Sequence, residues 1–297
     1  MERAINVFYS PDYAGSSYAF ETTRKSKWVA DSLSADPIAR LKLVAPRPLS
    51  WEQITQVHDP AYVRAVQTGE PRELAQSQEL GWDAGLWPMV LASNGGAVAA
   101  ALDALQNGLA GSLSSGLHHA RRAVGAGYCT FNGLVIAAHE ALAAGARSVL
   151  ILDLDAHCGG GTASLIADEP RIWQLDVSVD PYDSYEGSDH VRLRLVQSSS
   201  AYLDEIEHGL HEVAQRGPKF DLCLYNAGMD PFEGCSDGAL AGITREILAS
   251  RERLVFDWCR EKGLPVAFSL AGGYIGAGLD EQGLVDLHRL TLAASVG

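Results

Sequence analysis

The stretch SVLILDLDAHCGGGT, residues 148–162, decides how this chain is interpreted. An apolar, β-branched run predicts a buried strand that ends among Asp153, Asp155 and His157 and is followed by three glycines. Alternate residues of a strand face the same side. Two carboxylates and an imidazole on one side of a buried strand end carry a large desolvation cost, so other groups must compensate their charge.

Similar apolar runs recur along the chain and predict further strands. They are INVFY (residues 5–9), AGSLSS (110–115), IWQLDVSV (172–179), DLCLYNAG (221–228) and PVAFSLAGG (265–273). Helical apolar spacing separates them, in residues 51–69 (helix, turn, helix), 88–108, 131–145, 202–217 and 243–263. Strands alternating with helices predict an α/β fold with a central, mostly parallel sheet and helices on both faces. We expect one domain over residues 1–297.

The last of these helical patterns contains a cluster of charged residues. A solvent-exposed polar face is the default interpretation for such a cluster, which consists of Arg245, Glu246, Arg251, Glu252 and Arg253.

Composition excludes several classes of protein. Hydrophobic residues make up 47% of the 297 residues, charged residues 20%, and the formal net charge is −14. This balance supports a large core and argues against binding nucleic acid through bulk charge. The five cysteines show no CxxC spacing, which favours a reducing compartment. With no apolar signal core and no uninterrupted apolar run of about 20 residues, we expect a cytoplasmic protein without a membrane partner. The oligomeric state is not predicted.

Polar side chains follow most of the predicted strands. Open α/β sheets bind ligands outside the carboxyl ends of their strands, so groups far apart in sequence are expected at one rim. They are His118 and His119, then Asp153, Asp155 and His157, then Asp176 and Ser178, then Asp230, and finally Tyr274.

Asp155, His157 and Asp230 form a candidate metal site. Two carboxylates and one imidazole leave a tetrahedral ion with an open position for water, as in catalytic sites. Zinc suits these ligands best, and Fe(II) or Co(II) would also fit. The competing interpretation is that these are hydrogen-bonded polar groups without a metal.

His118, His119 and Tyr274 could supply the remaining chemistry. One histidine could act as general base towards water and the other as an electrostatic partner. The tyrosine hydroxyl could donate to a developing oxyanion. The alternatives are a histidine pair of the surface or core and an aromatic ring covering the sheet end.

Five motifs, in the order GLHHA, GAGYCTFN, DLDAHCGGGT, NAGMDPFEG and AGGY, give the chain its resemblance to a known family. The set resembles the histone deacetylase family of zinc amidohydrolases, most closely its bacterial and class IV branch, and it covers nearly the whole chain. The resemblance implies the arginase/deacetylase fold. It also implies hydrolysis of N-acyl-lysine or acylated polyamines by metal-activated water.

The resemblance also implies roles for individual residues. Zinc would be held by Asp155, His157 and Asp230. His118 and His119 would be the paired histidines, with His119 as general base and Asp153 orienting His118. Tyr274 would polarise the acyl carbonyl. Gly127 and Tyr128 would line the acyl-lysine channel, with Tyr in place of Phe, and Asp83 would lie at the rim. Several branches also hold a potassium ion, here through Asp153, Asp155, His157 and Ser178.

Gly160 departs from the family pattern. Members of the family normally carry Asp or Asn at this position, and that side chain supports the second histidine. We expect His119 to lack its usual partner unless water or a carboxylate from elsewhere replaces it. Slower turnover or an unusual substrate would follow. Cys158 replaces His or Gln, and a small buried filler is the simpler interpretation than an oxidisable or metal-binding thiol.

The expected function is therefore zinc-dependent removal of acetyl or longer acyl groups from N-acyl-lysine. The nearest alternative is hydrolysis of an acetylpolyamine or another small N-acyl amine. An arginase-type ureohydrolase is disfavoured because it needs two manganese ions and further Asp ligands. A weakly active or non-catalytic acyl-lysine binder is favoured by Gly160 alone.

Overall fold

The computed structural model describes residues 3–297, and a β-sheet lies at its centre. The strands within these residues are β1 (Ile5–Phe8), β2 (Leu41–Val44), β3 (Leu109–Ser112), β4 (Val149–Asp153), β5 (Ile172–Ser178), β6 (Val191–Leu195), β7 (Leu222–Ala227) and β8 (Val266–Leu270). They form one sheet in the order β2-β1-β3-β8-β7-β4-β5-β6, with parallel pairing throughout the described residues. The predicted parallel sheet is confirmed.

The sequence patterns predicted the six inner strands and missed both edges. Strands β2 and β6, with the sequences LKLV and VRLRL, alternate apolar and basic residues and are only partly buried. A central parallel strand is buried on both faces and reads as a continuous apolar run, whereas an edge strand does not.

Helices flank the sheet. They are α1 (Glu21–Ala35), α2 (Trp51–Thr55), α3 (Pro60–Thr68), α4 (Arg72–Ala75), α5 (Leu86–Asn107), α6 (Gly133–Ala143), α7 (Gly160–Ile166), α8 (Tyr202–Arg216), α9 (Arg245–Lys262) and α10 (Glu281–Val296). The predicted solvent-exposed face of α9 is wrong for two of its members. Arg251 and Glu252 are fully buried.

Alternation along β4 separates two hydrophobic clusters, one on each face of the sheet. Leu150 and Leu152 belong to the cluster that includes α1, α8, α9 and α10. Val149 and Ile151 belong to the cluster that includes α3, α5 and α6. Because consecutive strand residues face opposite sides, the two clusters confirm that helices cover both faces.

Helix α5 is long and apolar enough to cross a membrane by length and composition. In the most apolar 18-residue window of this helix, 61% is buried inside the protein. The helix packs against α6 and β3, which is the environment of a core helix.

Strand register brings the candidate functional groups to one edge of the sheet. Asp153 at the end of β4 pairs with Asp176 of β5 on one side and with Asn226 of β7 on the other. Ala227 of β7 in turn pairs with Leu270 of β8. The loops that follow β4, β5, β7 and β8 therefore begin side by side.

Candidate active site

In the structure Asp155, His157 and Asp230 lie together and could hold a metal ion; these three residues form the metal group. One potential ligand atom from each residue lies within 4.8 Å of the others, and all three residues are buried. His157 Nδ1 is 3.2 Å from Asp155 Oδ1 and 3.3 Å from Asp230 Oδ2. The group combines the ends of β4 and β7, as the sequence predicted.

Backbone N–H groups fix the orientation of both carboxylates. The Gly272 N–H donates to Asp155 Oδ2 at 2.8 Å, and the Ala156 N–H donates to Asp230 Oδ1 at 3.0 Å. A Cβ at Gly272 would lie only 1.9 Å from Asp230 Oδ2. Glycine is therefore required where the loop after β8 passes over the metal group.

The electrostatics of this group favour a positive charge at its centre. Burial lowers the pKa of His157, but the neighbouring carboxylates of Asp155 and Asp230 outweigh burial and raise it to about 12. Burial and the charge of Asp155 raise the pKa of Asp230 to about 7. Asp230 Oδ2 has no hydrogen-bond partner among the residues that the structure describes. A divalent cation would satisfy this oxygen and compensate both carboxylates, so the three residues fit a metal ion.

His118 forms the first histidine–carboxylate pair. Its Nδ1 lies 2.8 Å from Asp153 Oδ2, and both side chains are buried. Asp153 Oδ1 accepts a second hydrogen bond, from the Asn226 amide at 2.8 Å. Burial lowers the pKa of His118, but the charges of Asp153 and Asp155 outweigh burial and raise it to about 10. Asp153 thus lies where the sequence analysis placed an orienting carboxylate.

His119 has a carboxylate partner despite the glycine at position 160. Its Nδ1 lies 2.9 Å from Asp183 Oδ2. Asp183 comes from the loop after β5, 64 residues along the chain. The sequence left three outcomes open for His119: no partner, water, or a carboxylate from elsewhere. The structure shows the carboxylate.

Two adjoining cavities meet at these groups. An inner cavity is lined by His118, Asp155, Leu117, Met89 and several hydroxyl side chains of α1 and the β3 loop. An outer cavity is lined by His157, Tyr182, Glu79, Asp180 and Asp237. Both cavities share a set of lining residues, namely His119, Gly127, Tyr128 and Tyr274.

Gly127 and Tyr128 have left-handed backbone angles φ of 48° and 63°. Their role in an acyl-lysine channel stays a prediction. The Tyr182 ring is edge-on to the His119 ring, at 5.0 Å between centroids. Tyr274 lies 6.1 Å from His157 between ring centroids. Burial and the charges of Asp230 and Asp155 raise the pKa of Tyr274 well above its usual value.

Two other predicted residues lie in different surroundings. Asp83 accepts hydrogen bonds from the Ser17 N–H at 2.8 Å and from the Gly85 N–H at 2.9 Å, next to the start of α5. The acidic residue of this region that lines the outer cavity is Glu79. The Ser178 hydroxyl lies 3.2 Å from the His157 carbonyl oxygen, behind the metal group. A potassium ion at that position remains a prediction.

Sequence reasoning missed Asp183, Arg121 and Tyr182. Asp183 and Tyr182 belong to DPYDSYE, residues 180–186, which follows the predicted strand IWQLDVSV. The rule that ligands bind beyond the carboxyl ends of strands could have drawn attention to this segment. Nothing in the sequence pattern points from Arg121 to residue 183.

Cys158, which the sequence presented as a small filler or a reactive thiol, is buried, and its thiol donates to the Asp180 carbonyl at 3.4 Å. Burial raises its pKa to about 12. All five cysteines of the chain are free thiols.

Comparisons with known proteins place the chain in a family. A family model described as the histone deacetylase domain matches residues 19–283. An uncharacterized protein of Picosynechococcus is 36% identical over 230 residues, covering 76% of this chain and 75% of that protein. Histone deacetylase 2 of Arabidopsis thaliana is 28% identical over 295 residues, covering 91% and 75% of the two chains.

The fold is also that of a solved structure. An acetylpolyamine aminohydrolase from Burkholderia pseudomallei superposes with a TM-score of 0.79 at 19% identity, over 98% of each chain. The sheet and its flanking helices thus form the arginase/deacetylase fold. The match of the domain model over most of the sequence shows that the chain belongs to the histone deacetylase family.

Proposed function

We propose that the protein is a zinc-dependent amidohydrolase that removes acetyl or longer acyl groups from N-acyl-lysine. One observation carries the proposal. The buried residues Asp155, His157 and Asp230, which could hold a metal ion, lie beside two histidine–carboxylate pairs whose histidines line the adjoining cavities.

Zinc suits a site with one imidazole and two carboxylates. When bound by these three residues, zinc would supply a Lewis acid that polarises the acyl carbonyl and lowers the pKa of water. The remaining chemistry belongs to side chains of the chain.

The two histidines differ in protonation, and this difference assigns their roles. Burial and the charge of His118 lower the pKa of His119 to about 4, so His119 is neutral at neutral pH and can accept a proton from the attacking water. His118, with its pKa raised to about 10 against the effect of burial by the charges of Asp153 and Asp155, remains protonated. It stabilises negative charge in the transition state. A protonated histidine then donates to the leaving amine.

Tyr274 donates a hydrogen bond to the acyl oxygen as negative charge develops there. Its raised pKa keeps the hydroxyl protonated at neutral pH, which is the form that can donate. Removal of one such donor from an oxyanion site typically lowers kcat by about 100- to 1,000-fold.

The outer cavity suits the lysine side chain. Tyr128 and Tyr182 line it and could pack on the lysine methylenes. The acylated Nζ of the lysine would then reach the metal group. The inner cavity shares His119 and Tyr274 with the outer cavity, and it offers space for the acyl group. This arrangement supports acyl-lysine as substrate without selecting the acyl length.

A small acylated polyamine is the second candidate substrate. Three carboxylates line the outer cavity, those of Glu79, Asp180 and Asp237. They could pair with the free ammonium groups of a polyamine, and the formal net charge of −14 would attract such a cation. The alternative of a non-catalytic binder rested on the missing side chain at Gly160. Asp183 supplies the hydrogen-bond partner of His119 instead, so this alternative is no longer favoured.

A panel of acylated substrates tests the proposal. Zinc-reconstituted protein is incubated with acyl-lysine peptides, from acetyl to myristoyl, and with N-acetylputrescine, in the presence and absence of a chelator. We expect chelator-sensitive release of acid from acyl-lysine peptides. Faster turnover of N-acetylputrescine would select the polyamine alternative. Absence of turnover on every substrate with one zinc bound per chain would refute both.

The Tyr274→Phe variant tests the oxyanion role. We expect kcat to fall by about 100- to 1,000-fold, with zinc content unchanged because Tyr274 is not one of the metal-binding residues. Tyr18→Phe is the matched control, since Tyr18 is 50% exposed. Unchanged kcat in Tyr274→Phe would exclude this role.

A further inference from the structure

Position 160 and Asp183 compete for the same space beside His119. A Cβ built on Gly160 would lie 2.3 Å from the Asp183 backbone oxygen and 2.6 Å from Asp183 Oδ1. Since Cβ atoms essentially never approach other atoms this closely, no side chain fits at residue 160 while Asp183 keeps its place. The absence of a side chain at Gly160 and the presence of Asp183 are thus two parts of one arrangement.

Asp183 is held by several independent contacts. Its Oδ2 accepts from His119 Nδ1 at 2.9 Å and from the Gly161 N–H at 3.2 Å. Its Oδ1 accepts from Arg121 Nη2 at 2.5 Å, and Arg121 Nη1 lies 3.3 Å from Oδ2. The carboxylate is thereby clamped between an imidazole and a guanidinium, and its side chain is only 10% exposed.

The backbone at Asp183 is itself in an unusual conformation. Its φ is 60°, in the left-handed region, which Asp and Asn tolerate better than most residues with a Cβ. A residue keeps such a conformation when its surroundings determine it strongly, and these residues concentrate at functional sites. The Cys158 N–H supports the loop by donating to the Tyr182 carbonyl at 3.0 Å.

We propose that Asp183, clamped by Arg121, is the positioning residue of His119, and that the glycine at 160 makes room for it. The inference deepens the proposed function and rests on it, since it takes His119 as the general base. It assigns to the loop after β5 a role that the sequence motif around residue 160 does not provide.

The contact sets the tautomer of His119. An ionised carboxylate only accepts hydrogen bonds, so His119 Nδ1 must carry the proton. Nε2 is then left with a free lone pair that can accept a proton from water. Hydrogen bonds from His119 and Arg121 outweigh burial and lower the pKa of Asp183, which keeps it in the accepting form.

Three variants test the role in catalysis. We expect Asp183→Ala to lower kcat by about 10- to 100-fold, the usual cost of losing a group that orients an active-site histidine, with KM and zinc content nearly unchanged. Asp183→Asn keeps an accepting oxygen at the same place and should retain more activity. Arg121→Gln removes the clamp and should lie between wild type and Asp183→Ala.

Two matched controls separate this role from the loss of a surface ion pair. Asp221→Ala removes a carboxylate that binds Arg147 in a comparable two-point contact, at 2.9 and 3.2 Å, far from the site. Arg122→Gln removes the exposed arginine next to Arg121. We expect neither to change kcat by more than about two-fold, because surface substitutions away from special features have small effects.

A double-mutant cycle tests the link to position 160. Gly160→Ala should displace both the backbone and the side chain of Asp183, and it should lower kcat at least as much as Asp183→Ala does. If both changes act through the same contact, the double variant should be no slower than Gly160→Ala. Multiplicative losses in the double variant would refute the claim that Gly160 serves Asp183.

A spectroscopic readout makes the inference independent of substrate. In ¹⁵N-histidine NMR spectra of the full-length protein, with the resonances assigned by His119→Gln, we expect the Nδ1–H tautomer of His119. Asp183→Ala should shift the ring towards the Nε2–H tautomer, while Asp221→Ala should not. An Nε2–H tautomer in the wild type, or kcat within two-fold of wild type in Asp183→Ala, would overturn the proposal. If Asp183→Ala changes the tautomer as expected but the wild-type protein hydrolyses none of the acylated substrates, the proposed function is refuted and the positioning role of Asp183 is supported.

Discussion

Replacement of Arg251 by Met removes one half of a buried ion pair beneath the metal group. Both Arg251 and Glu252 are fully buried, and Glu252 Oε1 accepts from Arg251 Nη2 at 2.6 Å and from Nε at 2.8 Å. Arg251 Nη1 also donates to the Leu154 carbonyl at 3.2 Å and to the Tyr202 hydroxyl at 3.1 Å. Because Leu154 precedes Asp155, the loss of Arg251 should also loosen a residue of the candidate metal site.

The contacts set the expected size of the effect. In Arg251→Met the buried Glu252 keeps a hydrogen bond from the Tyr225 hydroxyl, at 2.8 Å, and loses its cation. Breaking a buried pair from one side costs about 3–5 kcal/mol of unfolding free energy. Replacing both members by Met removes both charges. The Leu154 carbonyl and the Tyr202 hydroxyl lose Arg251 in either variant, and the double variant additionally leaves the Tyr225 hydroxyl without its acceptor, at about 1–3 kcal/mol. The double variant should therefore be more stable than Arg251→Met.

Urea unfolding followed by tryptophan fluorescence measures these differences. Arg253→Met is the control, because Arg253 is exposed on the same helix and should cost less than about 0.5 kcal/mol. Zinc content, measured in parallel, should fall in Arg251→Met. A cost below about 1 kcal/mol for Arg251→Met, or single-variant losses that add in the double variant, would refute the reasoning.

Three further predictions concern the metal group and pH. Gly272→Ala places a methyl group 1.9 Å from Asp230 Oδ2, so zinc content and turnover should both fall, and a fully metallated variant would contradict the geometry. Chelation should lower Tm, because an ion at 1,000 times its Kd contributes about 4 kcal/mol to stability; an unchanged Tm would exclude tight metal binding. Burial lowers the pKa of His58 from 6.5 to about 4 despite its hydrogen bond to the Arg121 carbonyl. Between these values the unfolded chain binds a proton that folded His58 does not, so stability is present above pH 6.5 and is lost as pH falls towards 4. The loss is on the order of 3 kcal/mol, and an equal pH dependence in His58→Gln would contradict it.

Much of the fold could be predicted from local patterns. The inner strands are buried on both faces, so most of their residues are apolar, as in the VLIL run of β4. The polar residues that end these runs, such as Asp153, come together because parallel strands end at the same edge. The edge strands β2 and β6 lack this signal, since partial exposure allows charged residues within them.

Burial of charged side chains could not be predicted in the same way. Arg251 and Glu252 look like the rest of the polar surface of α9 in sequence. They are buried because the Leu154 carbonyl and the hydroxyls of Tyr202 and Tyr225 lie within reach in the folded protein. Whether a charge is solvated or buried depends on partners that other elements supply.

The sequence by itself determined the six inner strands, the residue types of the candidate metal site and the fact that residue 160 has no side chain. Only the tertiary structure decided what fills that gap. Asp183 lies 64 residues from His119, and the loop after β5 brings the two within 2.9 Å. The physical reason is that a hydrogen bond depends on distance and direction in space, whereas a sequence motif records only neighbours along the chain. A missing side chain at one position can therefore be replaced by a carboxylate from a different element, and the motif alone cannot indicate from where.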